Sequence, residues 1–142
     1  HWFDLDRFGA EVRRVVRAGG VLAVWTYHVG QVEPPFDRVF ADFYRDVLAP
    51  YFRTGARLVA EAYRGLQLPG DPLAAPPFTM SARWNLDRML AFIRSWSGTQ
   101  KYLQEKGKDP TDLIVPELER LWGGRDTVLT VRWPLIVRMT RI

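Results

Sequence analysis

The first regular feature of the chain is an apolar stripe at helical spacing, formed by Leu5, Phe8, Val12, Val15 and Val16. Steps of three and four residues place such side chains on one face of a helix, so the pattern predicts a helix over 4–17. Asp4 suits the N-cap of this helix, and Gly19 and Gly20 supply its stop.

An unbroken apolar run, VLAVWTY over 21–27, follows directly. Such a run is typical of a strand that is buried on both faces, as in parallel sheets. A strand of this kind needs neighbours on both sides and normally follows an earlier parallel strand. We therefore expect the chain to enter a doubly wound sheet partway along its course.

The remaining patterns alternate between helical and strand periods. Up to position 84 they predict a loop over 31–35, a helix from Phe36 interrupted at Pro50, a weaker helix over 55–65, a proline-rich connector over 68–77 and a strand over 78–84. Beyond it they predict one long helix that is capped by Asn85 and continues to Leu103, and a helix from Asp109 to Trp122 that stops at Gly123. The last predicted element is a strand over 127–142, whose outer face carries Arg132, Arg138 and Thr140. The order predicts an α/β fold. The segments 31–77 and 85–124 are expected to be its helical, substrate-side parts.

Composition narrows the class of protein. Hydrophobic residues make up 47% of the 142 positions, which excludes a disordered chain. Cysteine is absent, and the two histidines stand at positions 1 and 28, so we expect neither a disulfide framework nor a metal site. No apolar run approaches the roughly 18 residues that a membrane span needs, and no membrane partner is expected.

The charge balance favours basic residues, with 20 against 16 acidic ones, and all but three of the basic residues are arginine. A basic excess can indicate nucleic-acid binding. The arginines are spread from Arg7 to Arg141, and the densest group (Arg13, Arg14 and Arg17) falls on the polar side of the first predicted helix. Nucleic acid is therefore not the expected partner, although an arginine-rich module for nucleic acid or another anion remains the alternative.

Four stretches together resemble a known family: HWFD at 1–4, EVRRVVRAGGVLAVW at 11–25, IRSWSGTQ at 93–100 and VRWPL at 131–135. They are similar to class I S-adenosylmethionine-dependent methyltransferases, in the methyltransferase type 11 subgroup that includes trans-aconitate methyltransferase-like enzymes. The resemblance covers essentially the whole chain. It implies a Rossmann-like, doubly wound sheet of seven strands with one antiparallel strand, and S-adenosylmethionine as cofactor in the intact enzyme.

The resemblance also implies what the 142 residues lack. The glycine-rich turn that lets backbone approach the cofactor belongs upstream of the matching part, as does the acidic residue that holds the ribose hydroxyls. Gly19 and Gly20 end a predicted helix and cannot replace that turn. We therefore expect a C-terminal portion of a single methyltransferase domain, cytoplasmic and inactive by itself.

By similarity to the family, His1 and Trp2 would border the methionine part of the cofactor and the transferred methyl group. The indole of Trp2 could face the sulfonium cation, or it could simply pack on the following helix. Tyr27 and His28 end the predicted strand and could contact the substrate, His28 as a hydrogen-bond partner or base. A lone histidine at a strand end is, however, often structural.

Arg94, Trp96, Ser97 and Gln100 are expected to share one helix that resembles the family's active-site helix. The planar fork of an arginine suits a carboxylate, so a small-molecule substrate, with a carboxylate as one candidate, would be held there. The competing interpretation makes Trp96 a core residue and Arg94 a surface residue. No catalytic residue is assigned, because methyl transfer from an activated donor mainly requires alignment and exclusion of water.

The sequence also leaves open a non-catalytic role. A half-sheet has open edges, and these could pair two copies of the chain into a homodimer.

Overall fold

The computed structural model describes residues 1–27, 29–52 and 55–142 and has a mixed α/β architecture. The described residues form two compact units, the first from 1–27, 55–80 and 134–142 and the second from 29–52 and 81–133. In chain order the elements are α1 (Leu5–Val15), β1 (Val21–Tyr27), α2 (Pro34–Phe43), a π-helix (Tyr44–Leu48), a 3-10 turn (Ala49–Tyr51), α3 (Ala56–Ala60), β2 (Asp71–Leu73), β3 (Phe78–Trp84), α4 (Leu86–Arg94), α5 (Ser97–Lys106), a second 3-10 turn (Pro110–Leu113), α6 (Val115–Trp122) and β4 (Leu129–Arg141).

The start of the first unit follows the prediction. The Asp4 carboxylate accepts from the backbone N–H groups of Asp6 and Arg7 at 3.1 and 3.0 Å, which satisfies donors that the first turn of α1 leaves free. Gly19 adopts a φ of 77°, a conformation that costs glycine little. Of the residues in the predicted apolar stripe, Val12 is buried, whereas the side chains of the others are half-buried or exposed to solvent.

The sheet is organised around β4. One edge of β4 pairs antiparallel with β1, from Val21 opposite Arg141 to Tyr27 opposite Leu135. The opposite edge carries β2, with Asp71 opposite Arg141, and β3 pairs with β4 as well. The short strand β2 lies within the segment that the sequence predicts as a connector.

The prediction that β1 is buried on both faces is wrong for these residues. Exposed and half-buried positions alternate along the strand, and the side chain of Trp25 is 67% exposed. The observed partner of β1, β4, is antiparallel instead of parallel. Among the described residues β1 is an end strand of the sheet, so one edge and one face of it lack the cover that an internal strand has.

The second unit contains the larger apolar core, in which α2, α4 and α6 bury Phe36, Phe40, Met89, Leu90, Ile93, Leu118 and Trp122. The Asn85 side chain caps α4 by accepting from the N–H of Arg88 at 3.0 Å, as predicted. Gly123 ends α6 with a φ of 78°, also as predicted.

Several predicted boundaries are wrong because helices divide. The long helix expected from Asn85 breaks at Ser95, whose hydroxyl donates to the carbonyl of Phe92 at 2.6 Å, and a new helix begins at Ser97. The helix expected from Asp109 is a 3-10 turn followed by α6. Helix α2 begins at Pro34, inside the predicted loop, and α3 ends at Ala60.

Strand β4 confirms the predicted alternation where Val131 and Trp133 are buried on either side of the exposed Arg132. The expectation for Thr140 is wrong, because this residue is buried although it was assigned to the outer face. Within the described part of the chain, no helix combines the length and apolar character that crossing a bilayer requires.

Candidate functional site

The first unit holds a polar pair at the beginning of the chain. Nδ1 of His1 lies 2.8 Å from the phenolic oxygen of Tyr63. The ring of Trp2 lies beside that of His1, with centroids 4.9 Å apart, and the Trp2 side chain is 62% exposed. The two residues that the sequence singles out are therefore adjacent in space, with the indole of Trp2 open to a ligand.

Tyr63 was not predicted as a site residue. It is 5% exposed and lies with Ala62 in the left-handed region, at φ values of 55° and 53°. Its carbonyl accepts from Nη1 of Arg138 at 2.6 Å. The sequence pattern offered no signal for Tyr63, because its contacts with His1 and Arg138 span more than 60 positions of the chain.

The same pair lines a cavity of about 250 Å³ within the first unit. The rest of the lining is apolar and includes Phe8, Val24 and Leu66, and no charged side chain of the described residues contributes to it. Apart from the indole of Trp25, His1 and Tyr63 therefore supply the polar groups of this largely apolar lining.

Tyr27 ends β1, where the prediction placed it, and its side chain is partly open to solvent. His28, the other residue predicted at this strand end, lies outside the described residues.

The remaining predicted residues lie in the second unit, where Arg94 is engaged with an acidic side chain. Nε of Arg94 donates to Oδ2 of Asp109 at 2.6 Å, and Nη2 is 4.0 Å from a carboxylate oxygen of Asp112. Partial burial raises the pKa of Asp109, but hydrogen bonds from Thr111 and from Arg94 outweigh it and hold the pKa below its usual value. A carboxylate ligand would therefore have to compete with two carboxylates already near this guanidinium.

The four residues do not share one helix. Arg94 is the last residue of α4, Trp96 precedes α5, and Ser97 and Gln100 belong to α5. The chain turns between them because Ser95 closes α4. Gln100 donates its amide to the carbonyl of Arg94 at 2.6 Å, so it binds the end of the preceding helix.

Trp96 packs in a group of aromatic rings. Its ring centroid is 5.5 Å from that of Phe92, 5.7 Å from Phe40 and 5.9 Å from Tyr44. Such offset and edge-to-face contacts stabilise a core beyond the burial of area. The geometry favours the competing interpretation of Trp96 as a structural residue, whereas Ser97 is exposed.

The side chains at His1 and Trp2 have the chemistry that one end of S-adenosylmethionine requires. An exposed indole can hold a cation on its π face, and an imidazole can hydrogen-bond a polar group. No glycine-rich turn that opens a helix occurs among the described residues, since Gly19 and Gly20 follow α1. The residues present thus fit the sulfonium end of such a cofactor and not its nucleoside end.

Comparison with known proteins gives two relatives. A solved structure from Anaeromyxobacter dehalogenans, described provisionally as a type II methyltransferase, matches 99% of this chain with 39% sequence identity and a TM-score of 0.87. A protein of Dictyostelium discoideum that carries a provisional methyltransferase name is 20% identical over 151 residues, covering 99% of this chain. No family model matches.

Both relatives carry methyltransferase names, so the chain is similar to proteins of the methyltransferase class. The Rossmann-like α/β fold of a methyltransferase, which the sequence predicts, is confirmed by the mixed α/β structure and its match to the Anaeromyxobacter protein. The chain spans 60% of that protein and 56% of the Dictyostelium protein.

Proposed function

We propose that the chain is the C-terminal part of a cytoplasmic, S-adenosylmethionine-dependent methyltransferase that acts on a small molecule. The observation that carries the proposal is the similarity, over 99% of the chain, to a structure described as a methyltransferase, at 39% identity and a TM-score of 0.87. The chemistry of the side chains at His1 and Trp2 supports it independently.

When bound, S-adenosylmethionine supplies a methyl group on a sulfonium, which is already activated for transfer. The role proposed for Trp2 is to hold that cation against its exposed indole face. His1 would hydrogen-bond a neighbouring polar group of the ligand. Neither residue needs to take up a proton, because aligning the two reactants and excluding water provide most of the rate enhancement.

Tyr27 and His28 are the residues that we assign to the substrate. The proposal does not extend to a carboxylate substrate held by Arg94, because Asp109 and Asp112 already neutralise this guanidinium. Ser97 and Gln100 flank the same break between α4 and α5 and stay assigned to the substrate side, as part of the proposal.

We also propose that the 142 residues by themselves neither bind the cofactor nor transfer a methyl group. The relatives continue beyond the matched part for about two fifths of their length, where a glycine-rich turn and a ribose-binding carboxylate would lie.

Two measurements test this function. Calorimetric titration of the 142-residue chain with S-adenosylmethionine should give no heat of micromolar binding, and such binding would contradict the fragment part of the proposal.

The protein with the remaining two fifths joined to it should transfer tritium from methyl-labelled S-adenosylmethionine to small-molecule extracts. Trp2→Ala should then weaken cofactor binding roughly tenfold, whereas Phe78→Ala, which removes another exposed aromatic ring, should not. Absence of transfer would refute the function.

The arginine-rich alternative has less support. Arg14, Arg45, Arg94, Arg120 and Arg125 each form an ion pair with a carboxylate of their own unit. Phosphate contacts would have to replace these pairs. Filter binding to a random oligonucleotide that persists at physiological salt with a steep salt dependence would revive this alternative.

A further inference from the structure

The structure holds His1 in one position by contacts on two sides. Nδ1 meets the hydroxyl group of Tyr63 at 2.8 Å. On the backbone side, a Cβ added to Gly55 would overlap the carbonyl oxygen of His1, so the chain at Gly55 approaches His1 as closely as glycine allows. Both the ring and the main chain of His1 are therefore restrained.

Tyr63 is itself held by its surroundings. A left-handed backbone conformation is strained for a residue that has a Cβ, and Ala62 and Tyr63 adopt it in succession. Such a conformation persists only where neighbouring contacts impose it, and it is found preferentially at functional sites. Here the contacts include the burial of the Tyr63 ring and the bond from Arg138 to its carbonyl.

The direction of the hydrogen bond between the two rings follows from the chemistry of the two groups. Burial raises the pKa of Tyr63, so the phenol keeps its proton. A phenol has a single proton to give, and the unprotonated nitrogen of a neutral imidazole is a better acceptor than a phenolic oxygen. Across the 2.8 Å that separate them, Tyr63 therefore donates that proton to Nδ1 of His1.

We propose that Tyr63 is a positioning residue that fixes His1 as a neutral imidazole with its proton on Nε2, so that His1 acts as a hydrogen-bond donor to a ligand at the cavity both residues line. An imidazole that accepts at Nδ1 carries its hydrogen on the other nitrogen. The ligand group that this donor recognises is an acceptor, such as a carboxylate or carbonyl oxygen. Its assignment to the cofactor or substrate rests on the proposed function, whereas the tautomer of His1 does not.

The tautomer can be measured on the 142-residue chain without any ligand. Long-range proton–nitrogen correlation spectra of the ¹⁵N-histidine-labelled chain at pH 8.5 distinguish protonated from unprotonated ring nitrogens, and His28→Gln assigns the His1 signals. We expect an unprotonated Nδ1 and a protonated Nε2, with a correlation from the Tyr63 hydroxyl proton to Nδ1. A protonated Nδ1 would overturn the proposal, and this result requires no Tyr63 variant.

A second measurement uses Tyr63→Phe, with Tyr102→Phe in the other unit as the matched control. In Tyr63→Phe the His1 signals should move to those of a solvated, mobile imidazole, and in the complete enzyme the KM for the ligand that His1 contacts should rise about 5- to 10-fold with kcat little changed. Unchanged His1 signals in a folded Tyr63→Phe protein would overturn the positioning role. If the complete enzyme transfers no methyl group, the proposed function fails, while the spectra still decide the role of Tyr63.

Discussion

Nε of Arg94 and Oδ2 of Asp109 lie 2.6 Å apart, and this bond joins the end of α4 to the cap of the 3-10 turn at Pro110. The Asp109 carboxylate accepts at the same time from the backbone N–H and the hydroxyl group of Thr111, at 2.9 and 2.7 Å. The Asp109 carboxylate thus accepts three hydrogen bonds, one from the backbone N–H of the turn and two from side-chain donors. Arg94 is consequently a structural tie, which explains why its planar fork is a poor indicator of an anionic substrate.

Replacing Asp109 should destabilise the second unit. Asp109→Ala removes a cap worth about 1–2 kcal/mol and leaves the Thr111 donors without their partner. Urea denaturation at pH 7 should show this loss as a lower midpoint. The matched control is Asp112→Asn, which should cost less than about 0.5 kcal/mol, because Asp112 is exposed and 4.0 Å from Arg94. Equal losses for the two variants would contradict the role of Asp109.

The same carboxylate predicts a dependence on pH. Its pKa is lowered in the folded protein, so ionisation of Asp109 stabilises the fold fully above the unfolded-state value of about 3.9. That contribution is lost as the pH falls through the lower, folded-state pKa. The difference in unfolding free energy between wild type and Asp109→Asn should therefore shrink between pH 5 and pH 2. A difference that stays constant over this range would show that the charge of Asp109 contributes nothing.

Trp96 should contribute to stability more than to ligand binding. Trp96→Ala opens space among the rings of Phe40, Tyr44 and Phe92, and we expect a loss of about 2–4 kcal/mol in the free energy of unfolding. Trp2→Ala, which removes an exposed indole, should change it by less than about 0.5 kcal/mol. Chemical denaturation followed by circular dichroism measures both. A Trp96→Ala protein of wild-type stability would restore the binding role predicted from the sequence.

Replacement by alanine should change the stability of the protein in opposite directions at two glycines that lie in helices. A Cβ at Gly98 in α5 would lie 2.8 Å from Cζ of Phe52, so Gly98→Ala should destabilise the protein by about 1–3 kcal/mol despite the better helix propensity of alanine. A Cβ at Gly9 in α1 would meet nothing within 4 Å. Gly9→Ala should therefore stabilise by about 0.5–1 kcal/mol. Thermal melts of the two variants should shift in opposite directions, and a shared direction would contradict the packing at Gly98.

The open edge of β1 leads us to propose self-association of the 142-residue chain. Among the described residues β1 pairs with β4 alone, and Val21 and Trp25 on its exposed face are apolar. Light scattering after size exclusion should give the mass of a dimer. Trp25→Lys should shift it to a monomer, whereas Val15→Lys on α1 should not. A wild-type protein that elutes as a monomer at all concentrations would refute this pairing.

The sequence could predict those parts of the fold that local chemistry decides. Helix α1, strand β3 and the caps at Asp4, Asn85 and Gly123 appear where the patterns placed them. In each case the hydrogen bonds or apolar spacing involve residues a few positions apart. The sequence also indicated His1 and Trp2 as candidate site residues, through resemblance to a family.

Only the tertiary structure decided which residues meet. The helical pattern from Asn85 to Leu103 carried no sign of the break at Ser95, because the helical spacing of apolar residues continues past Ser95 in the sequence, whereas in the structure α4 supplies core residues and Leu103 of α5 is exposed. The antiparallel partner of β1 and the contact of His1 with Tyr63 depend on segments far apart in the chain. Periodicity records which face of an element is apolar, whereas the identity of the neighbour on that face is fixed when the whole chain packs. That is why the sequence found His1 and missed the tyrosine that holds it.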